Sequence, residues 1–232
     1  MKLGGAVVLV TGANRGIGRE FARAALARGA RKVYAAARDL SRVDVPGAQP
    51  LRLDVTSDSD ASAAAGQCAD VTLVVNNAGI ANFGQALDDN SLASLQAMLD
   101  VNCFGILRLS RAFAPVLARN GGGAFLNVLS LASFVQRPPL GVYATSKAAA
   151  WGLTNVLRHE LRAQGTQVTA LHMGFVDTDM VRDVKLPKTS PQDIVARAYD
   201  GVEAGLEEVL ADERTRQMHQ GLTAETRVYL AP

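Results

Sequence analysis

Along this chain, short runs that are apolar at nearly every position alternate with longer stretches in which apolar residues recur every three or four positions. Residues 6–10, 32–36, 71–75, 124–129 and 168–172 are of the first kind. A strand covered on one face alternates apolar with polar, so a continuous apolar run signals burial on both faces, as in a parallel sheet. Residues 50–53 and 208–210 are weaker strand candidates. Helical spacing marks 16–28, 57–66, 91–120, 142–163 and 191–204. This alternation predicts right-handed βαβ crossovers and an α/β fold, a doubly wound parallel sheet of about seven strands with helices on both faces. No repeat, linker or low-complexity tract interrupts it, so residues 1–232 are expected to form one domain.

Composition narrows the partners. Apolar residues make up 48% and charged residues 20% of the 232 positions, and the net charge is +2. That balance gives no basic field for nucleic acid. The apolar start at 6–10 runs straight into a glycine turn, which reads as a strand rather than a leader. No run of about 20 apolar residues is evident, so no membrane span is expected. Cys68 and Cys103 share no metal or redox spacing and read as buried thiols in a reducing, cytoplasmic setting. His159, His172 and His219 show no ligand spacing either, and no metal is expected.

Chemistry concentrates at the ends of the predicted strands. Between the first strand and first helix lies Thr11-Gly12-Ala13-Asn14-Arg15-Gly16-Ile17-Gly18. Glycines at that point let backbone N–H groups approach a pyrophosphate at the helix N-terminus. Strand two ends in Ala37-Arg38, where a carboxylate would suit a ribose 2′-hydroxyl and an arginine a 2′-phosphate. Arg38, with Arg15 in reach, favours NADP(H) over NAD(H), although a small register shift would put Asp39 at the ribose instead. Asp54-Val55 follows strand three, and Asn76-Asn77-Ala78-Gly79 closes strand four; its amides serve either a ligand or the bracing of strand ends. In Tyr143-Ala144-Thr145-Ser146-Lys147 a phenol and an ammonium stand one helical turn apart. A nearby cation favours phenolate, which would draw the phenol towards neutrality for proton transfer.

With Asn102 and Ser130 added, these motifs follow one another in an order and spacing that resembles the short-chain dehydrogenase/reductase family over residues 5–212. The resemblance implies a Rossmann-like fold and hydride transfer between NAD(P)(H) and a carbonyl or alcohol. It implies a tetrad: Tyr143 as acid or base, Lys147 lowering its pKa and holding the nicotinamide ribose, Ser130 bonding the substrate oxygen, and Asn102 holding a relay water. Gly12, Asn14, Arg15, Gly16, Ile17, Gly18, Arg38, Asp54, Val55, Asn77, Ala78, Gly79, Tyr143 and Lys147 are implied to bind the cofactor, with Gly174, Val176 and Thr178 on its nicotinamide side. Where relatives carry Pro-Gly after strand six this chain reads Met173-Gly174, so a looser segment is expected there. His172 is expected to be a strand-end residue with a satisfied hydrogen bond. Phe134, Leu140 and Phe175 suggest an apolar substrate pocket, or simply loop packing. The short segment 179–190 suggests an open cleft. The two long helices, 91–120 and 142–163, suggest a homodimer or homotetramer. A catalytically silent dinucleotide sensor is the alternative reading, while a sugar-nucleotide epimerase would need a larger C-terminal region than about 50 residues.

Overall fold

In the computed structural model, which describes residues 1–230, seven strands form one sheet. They are β1 (Val7–Thr11), β2 (Lys32–Ala37), β3 (Gln49–Arg52), β4 (Leu73–Asn76), β5 (Gly123–Val128), β6 (Thr166–His172) and β7 (Glu208–Leu210). Their order is β3-β2-β1-β4-β5-β6-β7, and every pairing is parallel. The helices are α1 (Gly16–Ala27), α2 (Asp58–Gln67), α3 (Ser91–Leu99), α4 (Gly105–Arg119), α5 (Gly141–Glu160), α6 (Pro191–Glu203) and α7 (Glu213–Gln220). This is the doubly wound sheet that the apolar runs predict.

Two cores sandwich the sheet because successive strand residues point to opposite faces. Val8 and Val10 enter one core with Phe21 and Ala25 of α1 and Ile194, Ala198 and Tyr199 of α6. Val7 and Leu9 enter the other with Ala61 of α2, Leu109 and Phe113 of α4, and Leu157 of α5. Tyr199 packs edge-on against Phe21, ring centroids 5.3 Å apart, and donates its hydroxyl to the Phe21 carbonyl at 2.8 Å. Helix starts follow their caps: the Ser57 and Ser190 hydroxyls accept from the N–H groups of Asp60 and Asp193.

Three local expectations change. The predicted helix 91–120 is broken by a π turn at Asp100–Phe104 that holds Asn102. Helix α7 was not expected, since Glu213–Gln220 buries only Thr215 and so shows no apolar stripe; Asp212, capping it through the Thr215 N–H, was its one signal. The stretch Ser91–Arg119 does reach the length and apolar content of a membrane span, contrary to the sequence reading. Half of its most apolar window is buried within the protein, because Ile106, Leu109, Phe113, Val116 and Leu117 pack on the sheet.

Most polar groups inside the fold are paired, Ser110 Oγ, Thr215 Oγ1 and His172 Nε2 being exceptions among the described residues, and one chain of paired groups stiffens its centre. Asn76 Nδ2 donates to Asn127 Oδ1 at 2.8 Å, Asn127 Nδ2 donates to Thr154 Oγ1 at 3.0 Å, and Thr154 donates to the Ala150 carbonyl at 2.7 Å. The chain ties β4 and β5 to α5. Asn127→Leu would leave the Asn76 amide as a buried donor with no acceptor, which costs about 1–3 kcal/mol. A urea titration should show a lower midpoint with an unchanged slope.

Candidate active site

The strand order reverses at β1, whose neighbours β2 and β4 lead the chain away in opposite directions. Their crossovers diverge there and leave a crevice beyond the C-terminal strand ends, the place where ligands bind in such sheets. A cleft of about 880 Å³ occupies it. Every residue singled out in the sequence for catalysis or cofactor binding lines this cleft, except Asn102, which lies immediately behind it.

At the β1 end, one hydroxyl organises the floor. Thr11 Oγ1 accepts from the N–H groups of Asn77 and Ala78, each at 3.0 Å, and donates to the Val75 carbonyl at 3.2 Å. Asn77 answers by donating Nδ2 to the Thr11 carbonyl at 2.8 Å, so its amide braces the loop. The loop then needs its glycines. Gly12 has φ +66°, a left-handed conformation, and a Cβ on Gly18 would lie 2.2 Å from the Gly12 carbonyl. Helix α1 begins with no side-chain cap and no acidic residue in its first turn, leaving its N–H groups open to an anion. A Cβ on Gly16 would touch the Thr178 methyl at 3.4 Å, so these two residues face each other across a narrow slot.

Arg38 is exposed at the end of β2, on the cleft wall. The rival carboxylate, Asp39, is turned to Ser41 and accepts from its hydroxyl at 2.7 Å and its N–H at 3.1 Å; the first of these chiefly holds it below the ordinary carboxylate range. Asp54 likewise accepts from the Thr56 N–H and hydroxyl, which leaves its second carboxylate oxygen available. Val55 beside it packs closely on Gly105.

The reactive groups gather where β5 meets α5. Ser130 caps a short turn, Leu131–Ser133, and its hydroxyl accepts from the Ala132 N–H at 3.1 Å. Its carbonyl faces Nδ1 of His172 at 3.2 Å. A carbonyl only accepts, so Nδ1 carries the proton and Nε2 is bare. His172 thus has the hydrogen bond expected of it, while buried Nε2 has none, and burial drives the ring down to about 4. His159 and His219 lie on helices at the surface edge, as expected.

Lys147 is buried and donates Nζ to the Val128 carbonyl at 2.8 Å; burial pushes its pKa down to about 8. Its Nζ lies 6.0 Å from the centre of the Tyr143 ring. The expected lowering of the Tyr143 phenol is not what the folded chain produces. Burial raises it, with the Ser130 hydroxyl pulling the other way. The reason is competition between two environments: the lysine spends its closest contact on Val128, while desolvation penalises phenolate.

Asn102 is also more committed than expected. Its Oδ1 accepts from the Ile80 N–H at 2.9 Å, and Nδ2 donates to the Ile80 carbonyl and to Ser146 Oγ, both at 3.0 Å. Both amide protons are used, so a water there could meet only the remaining lone pair of Oδ1. Gly79 fits between this amide and Lys147: a Cβ on it would lie 3.2 Å from Oδ1 and 3.7 Å from Nζ.

The segment after β6 is tied rather than loose. Gly174 donates to Asp212 Oδ2 at 2.6 Å, Thr189 donates to the Phe175 carbonyl at 2.9 Å, and Asp177 donates to the Thr189 carbonyl at 2.9 Å. These bonds supply the restraint that a proline ring would have given. Leu140 and Phe175 line the cleft, whereas Phe134 turns inward, 4.9 Å from His172 and 5.7 Å from Trp151 between ring centroids. Short as it is, the segment after Thr178 places Met180, Val181, Val184 and Leu186 on the wall, so the cleft is more walled than expected. Several contributors escaped the sequence reading. Thr11 and Ser146 had no signal beyond their place in motifs, and the Val128 carbonyl had none. Arg137 lies in the loop between Ser130 and Tyr143 that was expected beside the substrate but carried no role of its own, and Arg214 reaches the cleft only through the tertiary fold.

Known proteins resemble this chain. A family profile described as short chain dehydrogenase matches residues 6–188. Galactitol 2-dehydrogenase (L-tagatose-forming) of Cereibacter sphaeroides is 37% identical over 190 residues, covering 77% of this chain and 74% of that protein. A 3-alpha-(or 20-beta)-hydroxysteroid dehydrogenase of Mycobacterium tuberculosis is 32% identical over 211 residues, 87% of this chain and 80% of the other. A short chain dehydrogenase from Burkholderia cenocepacia, solved in complex with NADP, superposes with a TM-score of 0.95 at 36% identity, over 100% of both chains.

Proposed function

The chain belongs to the short-chain dehydrogenase/reductase family and is an oxidoreductase of that class; on that premise we propose that it is an NADPH-dependent reductase of ketones or aldehydes that also runs in reverse on secondary alcohols. The observation that carries this reading is the convergence of Tyr143, the Ser130 hydroxyl and the buried Lys147 on one cleft with an uncapped helix N-terminus at its other end. The glycine loop, the slot between Gly16 and Thr178 and the open N–H groups of α1 fit a dinucleotide pyrophosphate. Asp54 and Val55 would flank the adenine, Asn14, Ile17 and Ala78 the phosphates and ribose, and Gly79, Gly174 and Val176 the nicotinamide. Arg38 and Arg15 suit a 2′-phosphate, and Asp39 is spent on Ser41. The NADP held by the B. cenocepacia relative supports the same preference.

The nicotinamide, when bound, supplies or accepts the hydride. The protein's part is proton control and stabilisation of charge. Ser130 and Tyr143 donate hydrogen bonds to the carbonyl oxygen, where negative charge grows as reduction proceeds, so they bind the transition state better than the ground state. Tyr143 then gives up its proton. Its raised pKa keeps it protonated at neutrality, which suits an acid. Lys147 remains cationic below about 8 and favours the phenolate as it forms. Asn102 acts as a positioning residue, fixing Ile80 beside Gly79 and, through Ser146, the backbone of Tyr143.

The buried free thiols Cys68 and Cys103 support a reducing compartment. Exposed Leu92, Phe104 and Val156, on the long helical segments, support a homodimer or homotetramer.

A spectrophotometric screen of carbonyls and alcohols with both cofactors tests the reading. NADPH-dependent reduction is expected, and Tyr143→Phe should lower kcat by roughly 10²–10⁴. Cofactor binding without turnover of any compound would instead favour the dinucleotide sensor. The pH dependence has a definite sign. Below about 8 Lys147 is charged and the phenol protonated, so reduction is flat there and declines as pH rises past it, while alcohol oxidation climbs. Arg38→Ala should raise the KM for NADPH by about tenfold, one lost charge-assisted contact of about 1.4 kcal/mol, and leave that for NADH nearly unchanged.

A further inference from the structure

The cleft carries more positive charge than a dinucleotide requires. Arg15, Arg38 and Arg42 line its adenosine end, while Arg137 and Arg214 line the other, on the loop that precedes α5 and on α7. Neither of this second pair lies within ion-pair distance of a carboxylate among the described residues, whereas Arg162, Arg182 and Arg216 at the surface do. Arg137 is half-buried. It gives one Nη2 hydrogen bond, 2.7 Å, to the Val228 carbonyl, and its Nε is shielded from solvent with no partner. A guanidinium with five donors and one acceptor is incompletely satisfied, which is costly away from water. The Arg214 guanidinium sits 5.9 Å from the centre of the Phe175 ring, where the ring face holds a cation. Phe175 itself follows Gly174 on the cleft wall. Around them the wall is mainly apolar: Val135, Leu140, Met173, Leu186 and Met218. The acidic residues on this side are Asp179, paired with Arg182, and exposed Asp183.

We propose that the substrate of this cleft is an anionic carbonyl compound or its alcohol, with an apolar body and a carboxylate or similar oxyanion received by Arg137 and Arg214. This rests on the oxidoreductase reading and names its substrate class. A neutral ketone would leave the shielded donor of Arg137 unanswered and the Arg214 charge to water alone; an oxyanion supplies the planar acceptor pair that a guanidinium fork matches.

The test is a binding measurement on NADPH-saturated protein, which separates a substrate oxyanion from the cofactor's own phosphates. 4-Phenylbutanoate and 4-phenylbutanamide share shape and differ in charge, and neither offers a ketone or aldehyde to reduce. Calorimetric titration should show the carboxylate binding about tenfold or more tightly, with the gap narrowing at high salt. Arg214→Met and Arg137→Met should each reduce that gap to about threefold or less; Arg214 is exposed, so its variant keeps the test valid should Arg137→Met fail to fold. Equal affinity for the two compounds, no binding of either, or a gap untouched in Arg214→Met overturns the assignment. Reduction of the keto acid 2-oxo-4-phenylbutanoate by the unaltered protein is the separate check on the reaction. Charge discrimination without any reduction counts against the reaction alone, and reduction without discrimination counts against the anion alone.

Discussion

The hydroxyl of Thr11 is the point on which the rest of the molecule turns. It sits where β1 ends, accepts two backbone N–H groups from the end of β4, and returns a proton to Val75. Those bonds hold Asn77-Ala78-Gly79 flat under the cleft and bring the glycine loop within van der Waals contact of it. A Cβ on Gly12 would already press on Ala78, and one on Gly18 would collide with both the loop and the Asn77 amide. The spacing of the glycines is thus dictated by how closely two strand ends approach, and the open N–H groups of α1 are a consequence of the same turn.

At the opposite end of the cleft, burial rather than pairing governs the chemistry. Lys147 and Tyr143 lie one helical turn apart, yet desolvation moves them in opposite senses, the ammonium down and the phenol up. Both shifts favour neutral forms, as a low-dielectric pocket requires. The result is a proton donor that stays loaded at neutrality beside a cation that is only just retained. The buried carbonyl of Val128 decides where that cation points.

The polar scaffold behind the site is largely committed to protein partners. Asn102 spends its amide on Ile80 and Ser146, Asp212 spends its carboxylate on Gly174 and the start of α7, and Asn127 bridges two strands to α5. Arg137, whose shielded Nε has no partner, stands out against that background, with the exposed Arg214 also on the cleft wall. Among the described residues only a few buried polar atoms lack a partner (Ser110 Oγ, His172 Nε2 and Thr215 Oγ1 besides Arg137 Nε), and of these the Arg137 donor belongs to a side chain that lines the cleft, where a partner from outside the chain can reach it.

Much of this was legible in the residues alone. Continuous apolar runs determine a sheet buried on both faces, helical spacing determines its covering layers, and motifs at strand ends must meet because parallel strands all end on one side. Those are consequences of local periodicity and chain order, which a sequence carries directly. Tertiary structure alone decided the inward turn of Phe134, the π turn at Asn102, the engagement of Asp39 by Ser41, the tethering of the segment after β6 to Asp212 and Thr189, and the helix Glu213–Gln220. It also decided the sign of the Tyr143 shift and the arrival of Arg214 beside Phe175 at the cleft. Most of these depend on which atoms become neighbours across long stretches of chain and on how much water they exclude, quantities that no local pattern encodes; the Asp39–Ser41 turn and the helix Glu213–Gln220 are local, but too short and too polar to leave a periodic signal.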